Sequence, residues 1–373
     1  MASTEFLMTD SERENTLVVV FLRGGADGLN MVVPVEDDGY YRLRPQLGIP
    51  KNETVLLDDL FGLHPLLAPL QPAFSEGGLL FVHGAGSEDQ TRSHFEAQDS
   101  MEHGGLAAGG WLGRFLRNTV EDSAGPLSAV AIGKTQPEVL RGAPSCVAFE
   151  SLNVFDLPEG ASGVLPELQR LYAADDSIVG AAGRDAMRAL GQIEDLRQSE
   201  YRPAGGAEYP AGRFGDGLRH VAQLIKAGVG LRAACVDLDG WDAHFTAATL
   251  MAPLLRQLAE GLAAFRQDLG TDMGRTSVVV MSEFGRRAYE NASFGTDHGR
   301  GGLMFVMGGG VKGGRVLASW PGLTEEHLEE PGDVPVAYNY RDVLAPVLAW
   351  HSPRVSFDKV FPDHAVTPVQ LHG

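Results

Sequence analysis

The run Thr276–Met281, T-S-V-V-V-M, is apolar and β-branched on successive residues, so both of its faces need cover. A strand with one wet face alternates, whereas a strand with none belongs between two layers of helix. The chain then turns polar, with Ser282, Glu283 and Arg286, the loop 288–296, and Asp297-His298 before the next apolar run at Gly302–Met307. Carboxylates and imidazoles gathered where parallel strands end are where open α/β sheets carry their chemistry. The stretch predicts an α/β fold and half of a metal-assisted hydrolytic site.

Other parts of the chain repeat the pattern. Leu17–Leu22 reads as a buried strand and runs into R-G-G-A-D-G-L-N. Its glycines let the backbone approach a ligand closely, and Asp27 is either a carboxylate presented at a strand end or an Asp-Gly turn. A second strand, Leu79–His83, is ended by Gly84 and Gly86, and Thr91 or Ser93 caps a helix running to about Met101. Arg92, Ser93 and His94 then stand at a helix amino terminus, which favours an anion. Ser93 there is a candidate nucleophile or only the cap, and His94 reads as a packed or solvated ring.

Leu231–Val236 is a third strand, ending in D-L-D-G-W-D-A-H. Asp242 and His244 are two apart, so in extended chain they face the same side and suit one divalent ion. The helix Leu250–Leu269 returns the chain to Thr276, and a strand, helix and strand in that order imply parallel pairing through a right-handed crossover. Further helices are expected over Trp111–Thr119, within 160–228, and at Tyr338–Trp350, capped near Asn339.

A chain of 373 residues, 44% hydrophobic, holds one large α/β domain. We place it at residues 17–355, after a disordered tail at 1–16 and before a polar tail at 356–373 carrying His364 and His372, with 160–228 an insertion or a set of covering helices. The net charge of −19 speaks against nucleic acid as a partner, since phosphate-backbone binding relies on clustered cations. Leu17–Leu22 is too short for a signal core or a membrane span, so the expectation is a cytoplasmic protein with no membrane partner. Cys146 and Cys235 sit in apolar settings and read as buried thiols. Gly308–Gly314 lacks the phosphate-loop signature because Gly313 follows Lys312, and is read as a turn.

Taken together, L-R-G-G-A-D-G-L-N, T-R-S-H-F-E-A-Q, G-W-D-A-H, S-E-F-G-R and G-T-D-H-G resemble domain-of-unknown-function family 1501, over about residues 17–350. That family is placed in the alkaline phosphatase-like superfamily, with sulfatases and cofactor-independent phosphoglycerate mutases. The resemblance implies a three-layer α/β/α sandwich with a mostly parallel central sheet, and metal ligands and a nucleophile on strand-end loops. Many members carry a twin-arginine export signal, which this sequence does not present. Residue by residue, Asp27 is similar to the first-strand Asp ligand, Ser93 to the helix-terminal nucleophile, Asp242 and His244 to an Asp and His ligand pair, and His298 with Asp297 to the late His ligand. Glu283 stands where a strand-end D-H motif supplies its Asp, and Phe284 replaces the His. These departures imply one metal, an altered second site or a lapsed catalyst.

The mechanism to expect is metal-assisted ester hydrolysis. A divalent ion, zinc, manganese or calcium, held by some of Asp27, Asp242, His244, Glu283, Asp297 and His298 polarises a small anionic phosphate or sulfate ester and lowers the pKa of Ser93 or of water. Arg92 and Arg286 neutralise the remaining charge. The alternatives are a non-catalytic metal- or glycan-binding protein that keeps the fold, and a metal-dependent lyase or isomerase.

Overall fold

The computed structural model describes residues 15–119, 125–152 and 163–372. Most of the tail expected at 1–16 lies outside them. Thr16 is already the first residue of a strand, its hydroxyl donating to the Leu231 carbonyl at 2.7 Å.

That strand, β1 (Thr16–Arg23), is the axis of the molecule. It carries no alternation, and both faces are buried: Val18, Val20 and Leu22 enter one core, Leu17, Val19 and Phe21 the other. The remaining strands of its sheet are β2 (Leu79–Gly86), β3 (Ala129–Ile132), β4 (Val147–Phe149), β5 (Ala233–Asp239), β6 (Thr276–Met281), β7 (Gly302–Gly308), β8 (Arg315–Leu317) and β9 (Tyr338–Asn339). Their order is β8-β2-β7-β6-β1-β5-β3-β4, with β9 added alongside β2. Every neighbouring pair is parallel except those of β7, which runs antiparallel to β2 and β6.

Helices cover both faces. On one side lie α5 (Arg213–Ala227) and α6 (Ala247–Leu269), with Leu218, Val221, Leu258 and Leu262 in the core. On the other lie α1 (His94–His103), α2 (Trp111–Thr119) and α7 (Tyr340–His351), contributing Met101, Phe115, Val343 and Leu344. The result is a three-layer α/β/α sandwich. Within the block 160–228, α5 covers the sheet, whereas α3 (Leu165–Ala173) buries nothing and α4 (Ile178–Gln198) buries little beyond Ala189, Ile193 and Leu196.

One sequence expectation is corrected. The strands β5 and β6, joined by α6, are parallel but not neighbours, because β1 lies between them and pairs with both. The residues from 356 onward are laid on the body: Leu371 is buried, its carbonyl takes the Lys312 N–H at 2.8 Å, and His364 bonds Asp342 at 2.8 Å. The Gly308–Gly314 segment is the turn that receives this terminal stretch. Cys146 and Cys235 are unbonded thiols, the first half-buried. Among the described residues no helix is long and apolar enough to cross a membrane.

The reversed strand fixes where chemistry collects. The carboxyl ends of β1, β2, β5 and β6 share one edge of the sheet, and because β7 is antiparallel its amino end opens on that same edge. The segments before Gly302 therefore join those after Arg23, Gly86, Asp239 and Met281.

Candidate metal centre

Three imidazoles and one carboxylate meet at that edge. His94 begins α1, Asp242 and His244 follow β5, and His298 precedes β7. Ligand atoms of His94, Asp242 and His298 lie within 4.8 Å of one another. His244 belongs with them, its Nε2 being 2.9 Å from both Asp242 Oδ1 and His298 Nε2. His298 Nε2 is 3.1 Å from the same Oδ1, and His94 Nε2 is 3.4 Å from Oδ2. The group is partly open to solvent, with the Asp242 side chain 44% exposed.

Each imidazole is aimed by a bond on its other nitrogen. His94 Nδ1 meets Glu283 Oε1 at 2.7 Å, His244 Nδ1 meets Asp297 Oδ1 at 3.1 Å, and His298 Nδ1 meets the Arg92 carbonyl at 2.8 Å. Carboxylates and carbonyls only accept, so each Nδ1 carries the hydrogen and each neutral ring turns a bare Nε2 lone pair inward. This is how ligating histidines are oriented and made more basic.

The lone pairs test whether an ion fits. His244 Nε2, His298 Nε2 and Asp242 Oδ1 face one another at 2.9–3.1 Å with no hydrogen to share. His94 Nε2 is buried and makes no hydrogen bond. Acceptors crowded in this way repel unless a cation lies among them, so the residues present fit a metal ion. The hydrogen bond with Glu283 raises the His94 pKa. Burial pushes the His298 pKa down. At Asp242 burial pulls upward, but the hydrogen bond and positive charge of Arg286 lead the effects that outweigh it and hold the carboxyl at about 2.

The loops reach this geometry by close approach. A side chain at Gly24, φ +119°, would strike the Asp242 backbone nitrogen at 2.5 Å, and one at Gly295 would strike the His244 carbonyl carbon at 2.1 Å. Non-glycine residues with positive φ, Arg92, Thr246 and Phe294, all lie on the site's loops. Strain of this kind, about 1–3 kcal/mol each, persists where the surroundings over-determine the backbone.

The expected site residues divide. Asp242, His244 and His298 converge. Glu283 and Asp297 come to the same place as orienting groups behind His94 and His244; Glu283 is 1% exposed and also accepts from Gly24 N and Gln98 Nε2, both at 2.9 Å. Asp27 does not join them: its carboxylate is buried against Arg44 Nη1 at 2.7 Å. Arg92 is turned away to Asp333 at 2.8 Å, and only its carbonyl serves the site. Arg286, 2% exposed, directs its guanidinium to the carbonyls of Gly24, Gly25, Trp241 and Thr296 and to Asp242 Oδ1 at 2.7 Å. Neither arginine is free to clamp an anion. Ser93 is the first residue before α1, yet its hydroxyl makes no capping bond.

The member of this cluster that the sequence expectation missed is His94. Its signal was the pair His94 and Gln98, four apart and so on one face of α1, and Gln98 shares Glu283 with it. Phe284 occupies the place expected of a second His, its ring 4.9 Å from those of both His94 and His298. Replacing Glu283 with Gln keeps the shape but removes the charge behind His94. The expected result is a 10–100-fold weaker zinc affinity, measured by competition with a chromogenic chelator.

The chain is similar in path to several solved structures. A 2-O GAG sulfatase is 10% identical, with TM-score 0.34, covering 97% of this chain and 76% of that one. The alkaline phosphatase of the Antarctic bacterium TAB5 is 12% identical, with TM-score 0.32, over 80% and 93%. The C-terminal periplasmic domain of EcEptC from Escherichia coli, in complex with Zn, is 10% identical, with TM-score 0.34, over 81% and 75%. No curated protein matches the chain. The family match spans residues 78–351, taking in His94, Asp242, His244, Glu283 and His298 and leaving the Asp27 loop outside it: the chain belongs to DUF1501, a family described as protein of unknown function.

Proposed function

We propose that this protein is a metal-dependent hydrolase of phosphate or sulfate esters, working from one ion held by His94, Asp242, His244 and His298. The observation that carries the reading is the convergence of three bare Nε2 lone pairs on the Asp242 carboxylate, each ring aimed from behind. Three nitrogens and one oxygen suit zinc or manganese and not calcium, which takes six or more oxygens. The ion supplies Lewis acidity toward an ester oxygen and toward the attacking hydroxyl.

The chain's own residues do the rest. Glu283 and Asp297 hold the Nδ1 protons of His94 and His244, so these rings keep one tautomer through the reaction. Arg286 fixes Asp242 and keeps it ionised. The uncapped Ser93 hydroxyl, at the positive end of α1 and one residue from His94, is the nucleophile we favour over water. Phe284 fills the space between two of the ligand rings with an apolar side chain, which supports a single ion rather than a pair.

The test combines metal analysis with turnover. One zinc or manganese ion per chain is expected, with hydrolysis of 4-nitrophenyl phosphate or sulfate lost on chelation and restored by that ion, and lost again in Ser93→Ala if the serine attacks. A second reading, a binding protein that keeps the fold and the ion, draws on Arg92 and Arg286, whose guanidiniums are already engaged. Stoichiometric metal with no turnover on any aryl phosphate or sulfate selects it.

A further inference from the structure

Among the described residues three phenylalanines are more than half exposed: Phe95 at 85%, Phe245 at 59% and Phe294 at 53%. None lies far from the centre along the chain. Phe95 follows His94, Phe245 follows His244, and Phe294 is four residues before His298. In a chain of net charge −19, apolar rings clustered on the ligand loops call for a reason.

Phe245 and Phe294 sit on two loops tied together. Thr246 N donates to the Ser293 carbonyl at 2.9 Å, Ala247 N to the Phe294 carbonyl at 2.8 Å, and Asn291 Nδ2 to the His244 carbonyl at 2.9 Å. The second loop is closed on itself, since Asn291 Oδ1 accepts from Ser293 N and Gly295 N while Phe294 N donates to the Asn291 carbonyl. The rings are therefore presented on rigid backbone rather than on mobile chain.

That presentation is strained. Phe294 stands at φ 59°, a conformation that glycine or asparagine adopts with ease and a bulky aromatic residue does not. Folding gains little from the ring, because about half of it is left in solvent. A side chain kept where it costs backbone energy and packs against little within the chain is one that meets something outside it. The neighbouring arginines point the same way: with Arg92 and Arg286 engaged elsewhere, an ester held only through its anionic group has the ion and little else to bind.

We infer that Phe245 and Phe294 form an apolar rim that receives the alcohol part of the substrate, so that the ester is one of an apolar alcohol rather than of a small hydrophilic one. The inference rests on the hydrolase reading and is testable without it. Binding of non-hydrolysable phosphonates to the zinc-loaded protein is measured by calorimetry, comparing benzyl-, octyl- and methylphosphonate.

Benzyl- or octylphosphonate is expected to bind about tenfold or more tightly than methylphosphonate, the larger of the two gains telling an aryl from an alkyl substrate. Phe294→Gly and Phe245→Ala are each expected to remove most of that preference while leaving methylphosphonate affinity unchanged. Phe294→Gly should at the same time keep or raise the thermal midpoint, because glycine relieves the backbone, and a merely structural ring would do the reverse. Equal affinities for the three phosphonates in the unaltered protein, or a preference that both variants retain, overturn the inference. If no ester is turned over yet the preference exists and disappears with the rings, the hydrolase reading fails and the rim stands.

Discussion

Asp242→Asn is expected to empty the metal centre without unfolding the protein. Among the described residues Asp242 is the acid in direct reach of all three Nε2 atoms, at 2.9 Å from His244, 3.1 Å from His298 and 3.4 Å from His94. Asparagine keeps an oxygen for Arg286 but supplies no charge to hold a divalent ion, and its amide hydrogens would be turned on lone pairs that need a cation. Losing the ion forfeits several kcal/mol of charge stabilisation, so ester hydrolysis should fall by about 10³-fold or more. Metal content by mass spectrometry should drop well below one ion per chain. The thermal midpoint of the metal-free variant should stay within a few degrees of the metal-free parent, since Arg286 retains its four carbonyls. Full metal occupancy with activity within tenfold of the parent would remove Asp242 from the ligand set and leave the ion elsewhere.

The contrast between what could be read from the residues and what could not tracks the range of the interactions. Thr276–Met281 and Leu17–Leu22 declare themselves because burial on both faces needs an unbroken apolar run, a property of a few consecutive residues. The direction of Gly302–Gly308 does not, because an apolar run looks the same in either sense; yet that direction is what brings Asp297 and His298 to the edge. Asp242 and His244 are two apart and share a side in extended chain, so their pairing is local. Asp27 looks alike on paper, in a glycine loop after a buried strand, but Arg44 takes its carboxylate, and no periodicity announces a partner at that distance. His94 was hidden by its neighbours, since T-R-S-H at the start of a helix reads fully as capping. Its role depends on Glu283, which lies 189 residues away.

Arg286 shows the same limit in its sharpest form, and it carries the largest expected effect on stability. Beside Glu283 in the sequence it reads as an anion clamp. In the fold it is buried and donates to the carbonyls of Gly24 and Gly25 after β1, of Trp241 after β5 and of Thr296 before β7, and to Asp242. One side chain thus fastens the loops after β1 and β5 to the connection between β6 and β7 that bears it, and closes that connection on itself through Thr296. Arg286→Met takes a donor from five acceptors at once and leaves Asp242 without its counter-charge, and each buried carbonyl left unpaired costs about 1–3 kcal/mol. The thermal midpoint should fall by about 5–10 °C, and metal retention with it, because the loops that aim the ligands are no longer fastened. Arg286→Lys should recover little, since an ammonium carries the charge but cannot reach carbonyls spread around a planar fork. The clamp hypothesis predicts the opposite pattern, in which the methionine variant melts like the parent, keeps its ion and loses only affinity for anionic esters. Thermal denaturation alongside metal content separates the two, and the 2.6–3.1 Å bonds to the Gly25, Thr296 and Trp241 carbonyls place the weight on the first.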